Sequence, residues 1–65
     1  MKKKDMLTEL VREYVEKHRC YSSYGAIYTH ILNRWCKDGI ASAYDKHKSG
    51  EWDIGRTISY LERGY

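Results

Sequence analysis

The sequence predicts an all-α protein, a single compact bundle of three to four short helices. Apolar residues recur every three or four positions along most of the chain, which is the periodicity of amphipathic helices. No stretch alternates apolar and polar residues over a useful length, so no strand is predicted. The chain contains no proline, and glycines and helix-capping residues separate the periodic segments instead. A chain of 65 residues has room for one domain.

The first helix is predicted over 6–19. Asp5 precedes the periodic run, and its short carboxylate can accept from an unpaired amide as an N-cap. Glutamates, lysine and arginine fill the opposite face, with opposite charges four residues apart. Residues 1–5 are predicted to form a basic N-terminal tail, and residues 6–65 the helical domain. The apolar stripe contains Leu7, Leu10, Val11, Tyr14, Val15 and His18.

The second helix is predicted over 24–37, with Ser22 or Ser23 as its N-cap and Gly39 as its C-terminal residue. Its apolar residues cover much of its circumference, so we expect this helix to lie in the middle of the bundle. They are Tyr24, Ile27, Tyr28, Ile31, Leu32, Trp35 and Cys36.

The third and last helices are shorter. A third helix is predicted within IASAYDKHKSG and ends at Gly50, and SGEW is predicted to be a turn. Asp53 is then the N-cap of a final helix that Gly64 terminates. The apolar residues of this last helix follow a 4-3-4 spacing and are Ile54, Ile58, Leu61 and Tyr65.

The charge distribution bears on the class of partner. The formal net charge is +3, from twelve Lys and Arg against nine Asp and Glu. Lys2, Lys3 and Lys4 account for the whole excess, which leaves nine basic and nine acidic residues from Asp5 onward. Basic residues can still segregate onto one face of the fold. No apolar run is long enough for a membrane span and no signal peptide is visible, so we expect a cytoplasmic protein.

Catalytic and metal-binding functions are not predicted. No glycine-rich phosphate loop is present, and a bundle of this size has little room for a deep pocket, so we expect a protein that is not an enzyme. The potential zinc ligands lack the close Cys-x-x-Cys or His-x-x-x-His spacing of a preformed half-site. No metal, cofactor or small-molecule substrate is therefore expected. The sequence leaves open whether Cys20 and Cys36 meet. The ligand types in question are His18, Cys20, His30, Cys36 and His47.

The segment RTISYLERGY, residues 56–65, resembles the recognition helix of small helix-turn-helix and winged-helix DNA-binding domains. In that family an arginine is followed by a leucine and then by glycine with an aromatic or aliphatic residue. The resemblance implies that Ile58 and Leu61 anchor the helix to the core. It also implies that the outward residues face the major groove or the phosphates. Those residues are Arg56, Thr57, Ser59, Tyr60 and Arg63.

The aromatic residues indicate a second function. The chain has seven Tyr, two Trp and no Phe, and so many amphipathic rings cannot all be buried in a small domain. Tyr, Trp and Arg dominate the binding energy of many protein interfaces. In size and tyrosine content the chain resembles small accessory proteins of phages and other mobile elements, which often occlude a host protein. The candidate residues for such a surface are Arg34, Trp52, Arg56 and Tyr60.

Taken together, these patterns favour a helix-turn-helix-like, non-catalytic regulatory protein that binds DNA as a possible homodimer. The last helix would read the DNA, and the basic N-terminal tail would contact phosphates. The alternative is a protein that binds and inhibits or modulates a host protein through its aromatic and arginine residues. The candidate binding residues are Lys2, Lys3, Lys4, Arg34, Trp52, Arg56, Thr57, Ser59, Tyr60 and Arg63.

Overall fold

The computed structural model describes residues 2–18 and 24–64, and within these ranges it contains helices and no strand. The all-α prediction is therefore confirmed. None of the described helices is long and apolar enough to cross a membrane. In chain order the helices are α1 (Lys3–His18), α2 (Tyr24–Arg34), α3 (Lys37–Lys48) and α4 (Ile54–Arg63).

Helix α1 begins earlier than predicted. Its first residue is Lys3, and the Met6 amide already donates to the Lys2 carbonyl at 3.0 Å. Asp5 lies in the first turn and not at the N-cap, where its negative charge still interacts favourably with the helix dipole. Because lysine is a good helix former, the basic segment extends the helix instead of forming a separate tail. The predicted end at Arg19 lies outside the described residues.

The junction between α2 and α3 is the largest correction to the predicted boundaries. A helix was expected to continue to Lys37 and to end at Gly39, but α2 ends at Arg34. Cys36 has the extended backbone of an N-cap, with φ −81° and ψ 172°, and α3 begins at the next residue. Gly39 therefore lies in the first turn of α3. It does not have the positive φ of a helix-terminating glycine.

The turn between α3 and α4 and both ends of α4 follow the sequence predictions. Gly50 has φ 86° just beyond the end of α3, where a left-handed conformation favours glycine. Asp53 is the N-cap of α4, and its Oδ1 accepts from the Arg56 amide at 2.7 Å. Gly64, with φ 87°, ends the helix in the left-handed conformation, and its amide donates to the Tyr60 carbonyl at 2.6 Å.

We expect the Asp53→Ala variant to lose about 1 kcal/mol of unfolding free energy, because the Arg56 amide then has no acceptor at the start of α4. Urea denaturation followed by circular dichroism measures this change. The Asp53→Asn variant keeps a capping oxygen and should stay close to the wild type. An equal loss in both variants would mean that the carboxylate acts through its charge and not as a cap.

The core lies mainly between α1 and α4, which each pack against all of the other helices. Helices α2 and α3 each pack on α1 and α4. The expectation that the second helix is central is wrong, because Ile31 is its only fully buried residue and its other apolar residues are half-buried or exposed at the periphery. The buried apolar residues are Met6, Leu7, Leu10, Val11, Val15, Ile31, Ile40, Ala43, Ile54, Ile58 and Leu61.

The bundle is compact. Its radius of gyration is 10.5 Å, against about 11 Å expected for a folded chain of this length. Packing α4 against three neighbours leaves one side of that helix in contact with water, and this side positions the candidate site.

Candidate nucleic-acid interface

Helix α4 has one buried and one exposed side. Ile54, Ile58 and Leu61 are each at most 1% exposed, as predicted from their spacing. The opposite side, called here the outer face of α4, consists of Arg56, Ser59, Tyr60 and Arg63. Arg56, Ser59 and Arg63 are exposed, while Tyr60 is half-buried at the edge of the face. The structure thus brings four of the five residues predicted to point outward onto one surface.

Thr57 is the exception. It was expected to face outward, but it is fully buried, and its Oγ1 donates to the Asp53 carbonyl at 2.8 Å. The reason is its spacing, since Thr57 follows Ile54 by three positions and precedes Leu61 by four. These intervals place it on the same stripe as the apolar residues. The threonine satisfies its hydroxyl within the helix and uses its methyl group for packing.

A row of three aromatic rings lies beside the outer face. The ring centroid of Tyr60 is 5.2 Å from that of Trp35 and 5.1 Å from that of Trp52. These residues come from the end of α2, the turn before α4 and α4 itself, and all three are half-buried. We call them the aromatic row. Contacts of this kind add to the energy of apolar burial and fix the relative orientation of the rings.

Two side chains that follow one another near the end of α2 bind the C-terminal carbonyls of α4. Arg34 donates through Nη1 to the Glu62 carbonyl at 2.7 Å and through Nη2 to the Arg63 carbonyl at 3.3 Å. Trp35 donates through Nε1 to the Leu61 carbonyl at 2.5 Å. The last carbonyls of a helix have no partner within the helix, and a cation there also interacts favourably with the negative end of the helix dipole. Arg34, predicted as a partner contact, therefore also has a structural task.

Arg56 differs from Arg34 in that its guanidinium is unused. Its Cζ lies 5.1 Å from the centroid of the Trp52 ring, a cation–π distance. Within 2–18 and 24–64 its side chain forms no hydrogen bond and no ion pair, and the same is true of Arg63. The Asp53 carboxylate accepts from the backbone amide of Arg56 and not from its guanidinium. Lys46 lies 5.2 Å from the same ring and forms a 3.5 Å ion pair with Glu51. Two arginines with free donors therefore lie on the outer face.

Two of the acidic residues of α1, Glu9 and Glu13, have partners on α3. Glu13 accepts from His47 Nε2 at 3.0 Å, and Glu9 lies 4.0 Å from the Lys48 ammonium. His47 Nδ1 lies 3.1 Å from the Trp52 carbonyl, so both imidazole nitrogens face acceptors. Every ion pair of the described part of the chain involves lysine or histidine, and none involves arginine.

The Tyr44 side chain contacts one of these acidic residues. The Tyr44 hydroxyl donates to Glu9 Oε2 at 2.6 Å. This hydrogen bond, followed by desolvation and by the negative charges of Glu9 and Asp45, raises the pKa of Tyr44 above its ordinary value. The bond joins α3 to α1 and plays no part in the outer face.

The three N-terminal lysines lie at the start of α1. Lys2 and Lys4 are exposed and Lys3 is half-buried. No hydrogen bond or ion pair between described residues links them to the outer face of α4. Their positive charges are available to solvent, as a contact with phosphates requires.

The potential metal ligands remain apart. Within the described ranges, no three His, Cys, Asp or Glu side chains come together as a metal site. His30 Nε2 lies 3.4 Å from the Glu62 carbonyl at the end of α4, and His47 joins α1 to the turn before α4. Cys36 is exposed, and the question of its pairing with Cys20 lies outside the described residues.

The sequence interpretation missed the roles of Trp35 and His47. Trp35 is predicted from the sequence only as an apolar residue of the second helix, and its bond to the Leu61 carbonyl depends on the packing of α2 and α4. No local signal identifies His47, because its partners Glu13 and Trp52 are brought to it by tertiary packing.

Comparison with known proteins gives no relative: no protein-family model, no curated protein and no solved structure matches the chain.

Proposed function

We propose that this chain is a small non-catalytic regulatory protein that binds duplex DNA through the outer face of α4. The observation that carries the proposal is the presence of two exposed arginines, Arg56 and Arg63, on that face without a carboxylate partner among the described residues. The ion-paired carboxylates of the described residues contact lysine or histidine and not these arginines, and one of the pairs, Lys46–Glu51, lies beside the Trp52 ring. Although the chain beyond the three lysines has no net charge, this segregation leaves a locally basic surface.

The arrangement of α3 and α4 supports the proposal. The two helices pack together and are joined by the five-residue segment 49–53, which is slightly longer than the turn of about three to four residues in a helix-turn-helix unit. In such a unit the second helix enters the major groove, whose width of about 12 Å accommodates a helix. Arg56, Ser59 and Tyr60 would then face base edges, while Arg63 and Lys2–Lys4 would contact phosphates. We further propose that the protein acts in the cytoplasm and pairs as a homodimer on its DNA site.

The aromatic row favours a second candidate function, binding to a host protein. Trp52, Tyr60, Arg34 and Arg56 were singled out from the sequence for such a surface, and they form one continuous patch in the fold. Half-buried rings flanked by arginines have the composition of an interface hot spot. In this case the protein would inhibit or modulate its partner by occupying it.

A titration against random duplex DNA at low and moderate salt tests the first proposal. We expect micromolar or tighter binding in fluorescence anisotropy, with an affinity that falls steeply as salt rises from about 50 to about 200 mM. The Arg56→Ala/Arg63→Ala variant should bind roughly tenfold more weakly or worse. It should also have a smaller slope of log K against log salt, by about 1, because the phosphate contact of Arg63 is lost.

A matched variant controls for charge. Arg12→Ala/Lys17→Ala removes two exposed positive charges from α1 and should retain most of the affinity. An equal loss in both double variants would show that the outer face is not the site. If the wild type binds no DNA at low salt, the DNA proposal is wrong. Capture of a host protein by the wild type but not by Trp52→Ala/Tyr60→Ala would then support the second function.

A further inference from the structure

We infer that Arg56 recognises the edge of a guanine in the DNA site and that Trp52 is the residue that positions it. The inference rests on the proposed DNA-binding function and names the base pair that the site prefers. Three observations support it: the guanidinium of Arg56 has no acceptor among the described residues, the Trp52 ring beside it contacts Tyr60, and Arg56 lies in the first turn of α4.

Two arginines in this structure contact tryptophan rings, and their donors have different fates. Arg34 lies 5.8 Å from the Trp35 ring centroid and uses its donors on the carbonyls of Glu62 and Arg63. Arg56 lies closer to its ring, at 5.1 Å, and its side chain has no acceptor among the described residues. The first is a structural clamp. The second is held by Trp52 while its donors remain available for a ligand.

Trp52 has contacts through both its backbone and its ring. The backbone amide donates to the Lys46 carbonyl at 3.2 Å, and the backbone carbonyl lies 3.1 Å from His47 Nδ1. The ring lies against Tyr60, which in turn stacks on Trp35. A guanidinium that rests on such a ring loses less conformational freedom on binding than a free side chain does.

The shape of the guanidinium selects the ligand. The planar fork of N–H donors in a guanidinium matches the O6 and N7 acceptors of guanine in the major groove. In Arg56 these donors have no acceptor among the described residues, while Cζ lies 5.1 Å from the Trp52 ring centroid. Arg56 is the third residue of α4, and the N-terminal residues of a recognition helix are those that contact base edges. Lys46, on the same ring, is a compact point charge that is already paired with Glu51. These facts favour a G·C pair opposite Arg56.

The test begins with selection of preferred duplexes from a random pool by the wild-type protein. Each guanine of the selected site is then replaced by 7-deazaguanine, which lacks the N7 acceptor. At one position we expect the wild type to lose roughly 5- to 100-fold in affinity. Arg56→Ala should bind both duplexes almost equally at that position. If every guanine that matters to the wild type matters equally to Arg56→Ala, the inference is wrong.

The role of Trp52 is tested by the ratio of the affinity for the unmodified duplex to the affinity for the 7-deazaguanine duplex. This ratio does not depend on the folded fraction of a variant. Trp52→Leu should reduce this ratio toward that of Arg56→Ala, while Trp52→Phe keeps an aromatic face and most of the ratio. Arg63→Ala is the control, because it should weaken both duplexes by the same factor. A wild-type ratio in Trp52→Leu would overturn the positioning role.

The outcomes separate this inference from the function on which it rests. DNA binding with no sensitivity to any 7-deazaguanine would leave the proposed function standing and would overturn the guanine contact. Absence of DNA binding at low salt would overturn both.

Discussion

The Ile58→Ala variant should lose about 2–5 kcal/mol of unfolding free energy. Ile58 is 1% exposed and packs in the core on the inner side of α4, so its truncation removes apolar contacts and leaves a cavity. A single core of this size supplies only about 3–5 kcal/mol. We therefore expect the variant to be largely unfolded at room temperature, and urea denaturation followed by far-ultraviolet circular dichroism measures the loss.

The neighbouring residue provides the control for this prediction. Ser59 is exposed on the outer face, so Ser59→Ala should change the unfolding free energy by no more than about 0.5 kcal/mol. If Ile58→Ala were as stable as Ser59→Ala, α4 would not be anchored through its inner side. The assignment of the outer face would then fail as well.

Replacing Gly39 by alanine should destabilise the protein by about 1–3 kcal/mol, less a gain of up to about 1 kcal/mol in helix propensity. A Cβ at this position would lie 2.5 Å from Cε3 of Trp35, which is closer than two carbon atoms can approach. The indole must then move, and its hydrogen bond to the Leu61 carbonyl and its stacking on Tyr60 are disturbed. Thermal and urea denaturation both measure the effect.

Replacing Gly25 by alanine should not lower the free energy of unfolding, in contrast to the same substitution at Gly39. Gly25 lies in the first turn of α2, it is exposed, and a Cβ there would meet no atom of residues 2–18 or 24–64 within 4 Å. Gly25→Ala should therefore leave the protein unchanged or stabilise it by up to about 1 kcal/mol. If both alanine variants are stabilised, Trp35 is not held over α3 as described.

The glycines of this chain differ in how far the sequence alone predicts their roles. Gly50 and Gly64 follow the last residues of helices and have positive φ, so local backbone chemistry was enough to identify them. Gly39 follows an equally plausible helix, but it is needed for the approach of a ring from the preceding turn. The helical pattern does not distinguish a terminating glycine from one that makes room for a side chain at the end of the preceding helix.

The sequence predicts the two sides of α4 but not every contact of the candidate site. The spacing of Ile54, Ile58 and Leu61 identifies the inner side of α4 and leaves Arg56, Ser59 and Arg63 outside. Applied strictly, the same spacing also places Thr57 inside. The binding of Arg34 to the end of α4 depends on the contact between α2 and α4. Arg34 and Glu62, which form the shortest of these hydrogen bonds, are 28 residues apart in sequence.

By itself, the sequence determined the helical fold class, the caps of α4 and the inner stripes of α1 and α4, because each depends on neighbours within about four residues. The tertiary structure alone decided that α2 is peripheral, that Trp35, Tyr60 and Trp52 form one row, and that Arg56 is free while Arg34 is occupied. Those properties depend on which helix faces which. Helix packing brings together residues whose separation in sequence carries no local signal.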